Sequence, residues 1–149
     1  MALPYYEICL PLPPSVNAMH TIGRGFRNPK TGKMQRVKAR SAEYKSWVEY
    51  AGTVYRKKFP SGVLKLEGRL RADYIFCWHK KDRGRNSSDI SNREKCLSDF
   101  LEKKFFENDN QIDEQHHYRR FVEGEKSYVL CRIYQTPDRR LDDVGDIFK

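Results

Sequence analysis

The chain has 149 residues, of which Lys and Arg contribute 29 and Asp and Glu 20, so its formal net charge at pH 7 is +9. A domain of this length buries about 68–70% of the surface of its unfolded chain and folds without a disulfide or a structural metal. The charge excess is typical of proteins with a polyanionic partner, most often nucleic acid. No apolar run approaches the about 20 residues of a membrane helix. The N-terminus lacks the basic and apolar segments of a signal peptide, so we expect a cytoplasmic protein with no membrane partner.

The cysteines favour a reducing compartment. Cys9, Cys77, Cys96 and Cys131 lie far apart and form neither a Cys-x-x-Cys pair nor a zinc-finger spacing. Three of them fall in apolar patterns typical of strands or a helix, so we expect buried free thiols.

A strongly basic segment follows the first predicted strand. Alternating side chains predict that strand at residues 5–10, and Pro11 ends it. Residues 18–40 then form a predicted long loop or irregular hairpin with no acidic residue. Its basic residues are Arg24, Arg27, Lys30, Lys33, Arg36, Lys38 and Arg40. Such arms often bind nucleic acid, although the same composition also describes a flexible loop without a partner.

The rest of the chain alternates helices and strands. Ser41 is a predicted N-cap, and apolar residues at helical spacing follow it as far as Phe59. Alternation from Leu64 to Trp78 predicts the clearest strand, which runs into a second basic cluster. That cluster contains Lys80, Lys81, Arg83 and Arg85. A second helix starting near residues 89–91 and strands at 111–121 and 129–133 follow.

The element order β-α-β-α-β-β predicts an α+β fold, in which a mixed sheet packs against the helices. No internal repeat or linker divides the chain. We therefore expect one domain over residues 1–136, with the basic loop 18–40 inserted, and a loosely held polar tail at 137–149.

Several polar residues that could bind a metal or take part in catalysis lie at the start of the second predicted helix. Asp89, Ser91, Asn92 and Lys95 lie where a loop enters the helix, and a helix N-terminus suits a phosphate. Asn92, Lys95 and Asp99 are spaced by three and four residues, which places them on one helix face. An antiparallel return of the chain could bring Asp109 back beside Asp89. Carboxylates beside a phosphate site are what Mg²⁺ requires.

Ordinary structural roles account for the same residues. Ser91 and Glu94 have the spacing of a capping box. Lys95 and Asp99 could form a helical i,i+4 ion pair. The sequence Asn-Asp-Asn at residues 108–110 could serve a turn alone.

Four segments in chain order carry a further pattern: residues 10–17 (LPLPPSVN), 41–44 (SAEY), 89–101 (DISNREKCLSDFL) and 106–112 (FENDNQI). Together they resemble the RusA family of Holliday-junction endonucleases, which is largely encoded by phages and prophages. The first resembles the opening strand and PPSxN element of that family, and the third its pattern D-x-D-N-x-x-K. The resemblance spans residues 10 to about 134.

The resemblance implies a Mg²⁺-dependent enzyme, for which Mn²⁺ is a possible substitute, that acts on four-way or branched DNA as a homodimer. It assigns Asp89 and Asp109 as catalytic metal ligands, Lys95 as a catalytic cation, and Asn92 as a site-shaping residue. Asp99 continues the same helix in a supporting role.

Two positions depart from the family pattern. Ser91 stands where the family usually has a second aspartate, and Asn108 stands where it often has an acid. The Ser91 hydroxyl is a possible metal ligand without the charge, and Asp113 or Glu114 could supply the missing carboxylate. His116 and His117 are adjacent on a predicted strand and therefore face opposite sides, so they cannot both serve one site.

The sequence thus predicts an endonuclease that hydrolyses phosphodiesters in branched DNA during recombination and repair. The basic segment at residues 18–40 and the basic cluster at residues 80–85 would bind backbone phosphates. Paired nicks in a four-way junction favour a C₂ dimer. One alternative is a DNA-structure-binding protein that kept the fold and lost full metal binding. A second is a basic domain that binds RNA or the ribosome.

Overall fold

A mixed four-stranded sheet with both helices on one of its faces organises the chain. The computed structural model describes residues 5–22, 26–35, 38–79, 90–124 and 126–137. The elements in chain order are β1 (Tyr5–Pro11), β2 (His20–Ile22), β3 (Phe26–Arg27), β4 (Met34–Gln35), β5 (Lys38–Arg40), α1 (Ala42–Lys58), β6 (Leu70–His79), α2 (Ser91–Leu101), β7 (Ile112–Val122) and β8 (Tyr128–Gln135). The predicted α+β class is confirmed.

The strands of the main sheet lie in the order β1-β8-β6-β7. Strand β8 pairs antiparallel with both β1 and β6, whereas β6 and β7 are parallel. Parallel neighbours need a long crossover connection, and α2 lies in the connection between β6 and β7. This topology places the N-terminus of α2 and the turn before β7 within one crossover.

The core lies between the helices and one face of the sheet. The side chains of Tyr74, Phe76 and Trp78 alternate along β6 and have no exposed surface. Leu97 and Leu101 of α2 are equally buried and belong to the same cluster. Each such side chain contributes about 1.5–3 kcal/mol through burial, so the position of α2 on the sheet is strongly determined.

Helix α1 confirms its prediction. The side chain of Ser41 accepts a hydrogen bond from the backbone N–H of Tyr44 at 3.0 Å, as an N-cap does. Trp47 is buried on the sheet side and donates its indole N–H to the carbonyl of Pro11 at 2.9 Å. The helix is thereby fastened to the end of β1.

The predicted strand from Leu64 is wrong over its first six residues, because β6 begins at Leu70. Gly68 has a φ of +75°, outside the region of extended strands, and interrupts the alternation. Leu64 is 85% exposed, whereas Leu66 packs beside the turn after α2 and donates its N–H to the Phe105 carbonyl.

The basic segment forms two nested antiparallel pairs, β2 with β5 and β3 with β4, so the predicted irregular hairpin is confirmed where the structure describes it. We call residues 20–40 the hairpin arm. Cys77, Cys96 and Cys131 are buried free thiols, as predicted, while Cys9 is free but exposed. Neither helix in the described ranges is long and apolar enough to cross a bilayer. The tail from residue 138 and the cluster at 80–89 lie outside the described residues.

Candidate active site

Helix α2 begins at Ser91, which immediately follows Ile90, the residue in the N-cap position. Ile90 offers no side-chain hydrogen bond to the helix, and Ser91 is the first helical residue rather than the predicted N-cap. The carboxylate of Glu94 instead accepts hydrogen bonds from Ser98 and from Gln115. The prediction that Ser91 is the N-cap is therefore wrong, because Ile90 holds that position, and the described partners of the Glu94 carboxylate lie on α2 and β7.

Lys95 lies on α2 among carboxylates. Its Nζ is 2.9 Å from Oδ1 of Asp99, one helical turn further on. The hydrogen bond to Asp99 raises the pKa of Lys95 above its ordinary value, and the charges of Asp109 and Glu94 raise it further. The i,i+4 pair is thus real, and Asp109 is near enough to act on the same ammonium group.

Asp109 begins a 3₁₀ turn, Asp109–Gln111, directly before β7. Asn108 and Gln111 cap that turn reciprocally, and the Gln111 amide also donates to the carbonyls of Leu66 and Gly68. The Asp109 side chain is exposed, and the described residues include no hydrogen-bond or ion-pair partner for it. The side chains of Asn108 and Gln111 therefore stabilise the turn, whereas the exposed carboxylate of Asp109 remains available to bind a ligand.

The sequence matches the family described as Endodeoxyribonuclease RusA over residues 23–133. The chain belongs to the RusA family. This confirms the predicted family, and membership implies a Holliday-junction endonuclease that acts on branched DNA. The matched region includes the hairpin arm from residue 23 onward, both helices, and the positions of Lys95 and Asp109. No curated protein matches the chain.

The segment PPSVN at residues 13–17, which precedes the region matched by the RusA family, lies against α2. Arg93 stacks over the ring of Trp78 at 5.3 Å and donates a hydrogen bond to the carbonyl of Pro13. Cys96, also on α2, donates its thiol to the carbonyl of Pro14 at 3.2 Å. Two motifs that are distant in the sequence thus meet at the helix that carries Lys95.

A polar network beneath α2 was missed by sequence reasoning. Ser98 is 4% exposed and shares a 3.1 Å hydrogen bond with the buried hydroxyl of Tyr74. Ser98 also binds Glu94, whose Oε1 lies 3.2 Å from Gln115 Nε2 on β7. Gln115 reaches the ring of His117 at 3.3 Å, and burial lowers the pKa of His117. The network connects α2 to β6 and β7, and thereby fixes Lys95 relative to the turn of Asp109.

The two histidines face opposite sides of the sheet, as predicted. His117 packs near Tyr74 under α2, whereas the ring of His116 stacks with Tyr118 on the other face. Glu114 lies 2.6 Å from His116. The carboxylate of Asp113 binds Arg69, which lowers the pKa of Asp113. Both carboxylates considered as replacements for the missing acid are therefore engaged elsewhere.

The other predicted site residues divide into two groups. Asn92 is half-buried in the first turn of α2, and the basic side chains of Arg27, Lys30, Lys33 and Arg40 are exposed on the hairpin arm. Lys38 lies in β5. The residues outside the described ranges are Asp89, Arg24, Arg36, Lys80, Lys81, Arg83 and Arg85.

Proposed function

We propose that this chain is a Mg²⁺-dependent endonuclease that hydrolyses phosphodiesters at four-way and other branched DNA, in recombination and repair. Family membership supports the endonuclease class. The observation that supports a metal-dependent reaction is the charge around Lys95. The Lys95 ammonium lies 2.9 Å from the carboxylate of Asp99, and the negative charges of Asp109 and Glu94 also act on it and raise its pKa. A DNA phosphate approaching that excess of negative charge is repelled unless a cation joins the site.

The residues available fit a hard cation. Asp109 offers exposed carboxylate oxygens, and oxygen donors are the ligands that Mg²⁺ prefers. No group of three or more potential ligands occurs within the ranges that the structure describes. The proposed metal ligands therefore include Asp89, which precedes the described start of α2. The Ser91 hydroxyl would be an additional oxygen donor. When bound, the metal would supply an activated water and a Lewis acid for the phosphate.

Lys95 supplies a fixed positive charge in this proposal. Charge builds on the non-bridging phosphate oxygens as water attacks, and a preorganised cation stabilises it. Asp99 holds the Lys95 ammonium in place through the 2.9 Å contact, and the raised pKa of Lys95 keeps the ammonium protonated. Asn92, one turn earlier on α2, shapes the same end of the helix.

Asp99→Asn should move the alkaline limb of the cleavage rate to lower pH. Asp99 is the largest cause of the raised pKa of Lys95, so its removal lets the ammonium lose its proton earlier as pH rises. The measurement is a pH–rate profile on a synthetic junction. Glu107→Gln is the matched control, because it removes an i,i+4 acid from Lys103 instead of from Lys95, together with the ion pair between Glu107 and Lys65. A limb that stays in place in Asp99→Asn would contradict a catalytic charge on Lys95.

The hairpin arm and the residues at 80–85 would hold backbone phosphates. Such contacts position the DNA and carry little sequence information. A four-way junction needs two symmetric nicks, and one site makes one nick, so the proposed working unit is a C₂ homodimer.

A non-catalytic DNA-structure binder is the second candidate, and Ser91 favours it. Ser91 stands where the family has an acid, and Asp113 and Glu114 are paired with Arg69 and His116. A site one charge short would bind Mg²⁺ weakly. On this account the hairpin arm would still bind junctions while cleavage is lost.

Ser91→Asp should lower the Mg²⁺ concentration that gives half-maximal cleavage. The added carboxylate restores a ligand charge, and an acid in the first turn also suits the helix dipole, so folding should be little affected. The measurement is a Mg²⁺ titration of both proteins side by side. Mn²⁺ should partly rescue the wild type, since it generally binds such sites more tightly. An unchanged or higher Mg²⁺ requirement would show that another group already supplies the charge.

The proposal as a whole is tested by cleavage of a synthetic four-way junction with and without Mg²⁺. Metal-dependent cleavage of the junction, but not of its linear arms, is expected. Binding without cleavage in either Mg²⁺ or Mn²⁺ would favour the non-catalytic binder. Preference for structured RNA in competition would favour an RNA-binding domain.

A further inference from the structure

The tip of the hairpin arm, residues 26–35, exposes two apolar side chains. Phe26 is 49% exposed and Met34 is 64% exposed. They lie on β3 and β4, whose register pairs Phe26 with Gln35 and Arg27 with Met34. Because directly paired residues point to the same face of an antiparallel ribbon, Phe26 lies on one face and Met34 on the other. The tip is therefore a two-stranded ribbon with one exposed apolar side chain on each face.

Hydrogen bonds within the tip hold its turn. The backbone N–H of Asn28 donates to the carbonyl of Lys33 at 2.9 Å, and the N–H of Gly32 donates to the carbonyl of Asn28 at 2.8 Å. The side chain of Asn28 also accepts a hydrogen bond from the N–H of Lys30 at 2.8 Å. Gly32 has a φ of +68°, which glycine adopts without strain. The tip thus presents its apolar side chains on a preformed turn, which lowers the entropy cost of binding.

The charge of the tip favours DNA as its partner. Residues 26–35 contain three basic residues, Arg27, Lys30 and Lys33, and no acidic residue. A second copy of the chain would bring the same excess and be repelled, whereas a phosphate backbone attracts it. Phosphates give the neutral side chains of Phe26 and Met34 nothing to bind. The apolar surfaces of DNA are the faces of its bases, on which aromatic side chains stack.

The base of the hairpin arm lies beside the candidate active site. Arg40, the last residue of β5, places its guanidinium 5.4 Å from the centre of the Tyr44 ring. Burial raises the pKa of Tyr44, and the charges of Asp99 and Lys95 also act on its hydroxyl. Strand β2 pairs with β5, and the chain from the end of β2 to Phe26 spans at most about 14 Å. The tip and Lys95 can therefore contact the same DNA molecule.

We infer that the tip inserts at the branch point of the DNA, where Phe26 stacks on one exposed base and Met34 contacts a base on the other side of the ribbon. Proteins that bend DNA insert apolar side chains such as Phe and Met between bases in the same way. Unstacking a base costs free energy, and the cost is least where pairing is already interrupted. The tip thereby selects branched over linear DNA. The inference rests on the proposed function in that branched DNA must be the substrate.

Binding of the full chain to a synthetic four-way junction, without divalent metal, tests the inference. The junction carries 2-aminopurine at the branch point, an adenine analogue whose fluorescence rises when it leaves the stack. Wild type should raise this fluorescence at saturation, and Phe26→Ala should lose most of the rise. Phe26→Ala should also weaken junction binding about 5- to 150-fold, the effect of removing one base–aromatic stack. Its effect on a linear duplex of the same sequence should stay below about twofold.

Three further variants control for shape and position. Phe26→Trp keeps a stacking ring and should retain the fluorescence rise. Met34→Ala should lose part of the rise, because it removes the contact on the other face of the ribbon. Leu64→Ala is the matched control, since Leu64 is an apolar residue that is 85% exposed and follows the C-terminal end of α1, whereas the hairpin arm precedes its N-terminal end. It should change neither the fluorescence nor the affinity for the junction.

The salt dependence separates base stacking from phosphate binding. Phe26→Ala should weaken junction binding by the same factor at every salt concentration, because a neutral side chain releases no counterions. Lys33→Ala should instead make the slope of log affinity against log salt shallower by about 0.9, on the junction and on the linear duplex alike. A slope that becomes shallower in Phe26→Ala would show that the variant disturbs phosphate contacts, and would contradict stacking by Phe26.

The possible failures are distinguishable. A wild type that binds the junction without raising the fluorescence, or a Phe26→Ala variant that raises it fully, would overturn the inference and leave the proposed function intact. An equal loss of affinity on the linear duplex would also overturn it. So would normal unstacking by Phe26→Ala with a changed sedimentation of the free protein, since the tip would then contact protein. A wild type that binds no branched DNA would refute the proposed function and the inference together.

Discussion

Asp89→Asn and Asp109→Asn should each reduce junction cleavage by at least about 10²-fold, since even outer-shell partners of metals cost 10–100-fold. Each change removes one ligand charge and keeps the shape of the side chain. The Asp109 carboxylate has no other bond among the described residues, so its loss should not disturb the 3₁₀ turn that Asn108 and Gln111 hold. Junction binding should therefore persist. The measurement is cleavage together with a binding titration on the same substrate.

Asp113→Asn is the control for this prediction. Asp113 lies four residues after Asp109, but its carboxylate binds Arg69. The variant should cut at close to the wild-type rate, because an exposed pair of this kind contributes little to stability. If Asp109→Asn or Asp89→Asn cleaves at the wild-type rate, the substituted aspartate is not a catalytic metal ligand.

Junction binding without metal should weaken steeply with salt. Each phosphate that a basic residue neutralises contributes about −0.9 to the slope of log affinity against log salt on duplex arms. Six to ten such contacts would lower affinity about 10³–10⁵-fold between 50 and 200 mM salt. Arg27, Lys30 and Lys33 are exposed on the hairpin arm and paired with no acid in the described ranges. Changing all three to alanine should make the slope shallower by about 2.7, if each contacts one phosphate.

The control for the salt dependence is Lys57→Ala. Lys57 is an exposed lysine in the last turn of α1, away from the hairpin arm. Its removal should leave the slope nearly unchanged. A wild-type slope near zero would contradict phosphate binding by the arm, and an equal effect of Lys57→Ala would indicate a non-local charge effect.

The elements that have local signals in the sequence could be predicted from it. Alternation identified β7 and β8, and the Ser41 cap with its helical apolar spacing identified α1. The failure at Leu64 has a local cause as well, because alternation continues through Gly68 while its positive φ ends the strand. Alternation alone cannot report a backbone angle.

The contacts that position the candidate site are tertiary and could not be predicted. Glu94 has the spacing of a capping residue, yet its carboxylate binds Ser98 and Gln115, a pairing that depends on β7 lying beside β6. One signal was present in the sequence. Ser98 is a polar residue within the apolar stripe of α2, and a buried hydroxyl needs a partner.

Cleavage of a supercoiled plasmid that extrudes a cruciform distinguishes a junction endonuclease from a protein that only binds junctions. A junction endonuclease that makes paired nicks should convert the plasmid to a linear product cut at the cruciform, in the presence of Mg²⁺ and not with a chelator. Asp109→Asn should bind the cruciform and leave the plasmid supercoiled. A wild type that binds the cruciform but yields no linear product in Mg²⁺ or Mn²⁺ would contradict the proposed endonuclease activity.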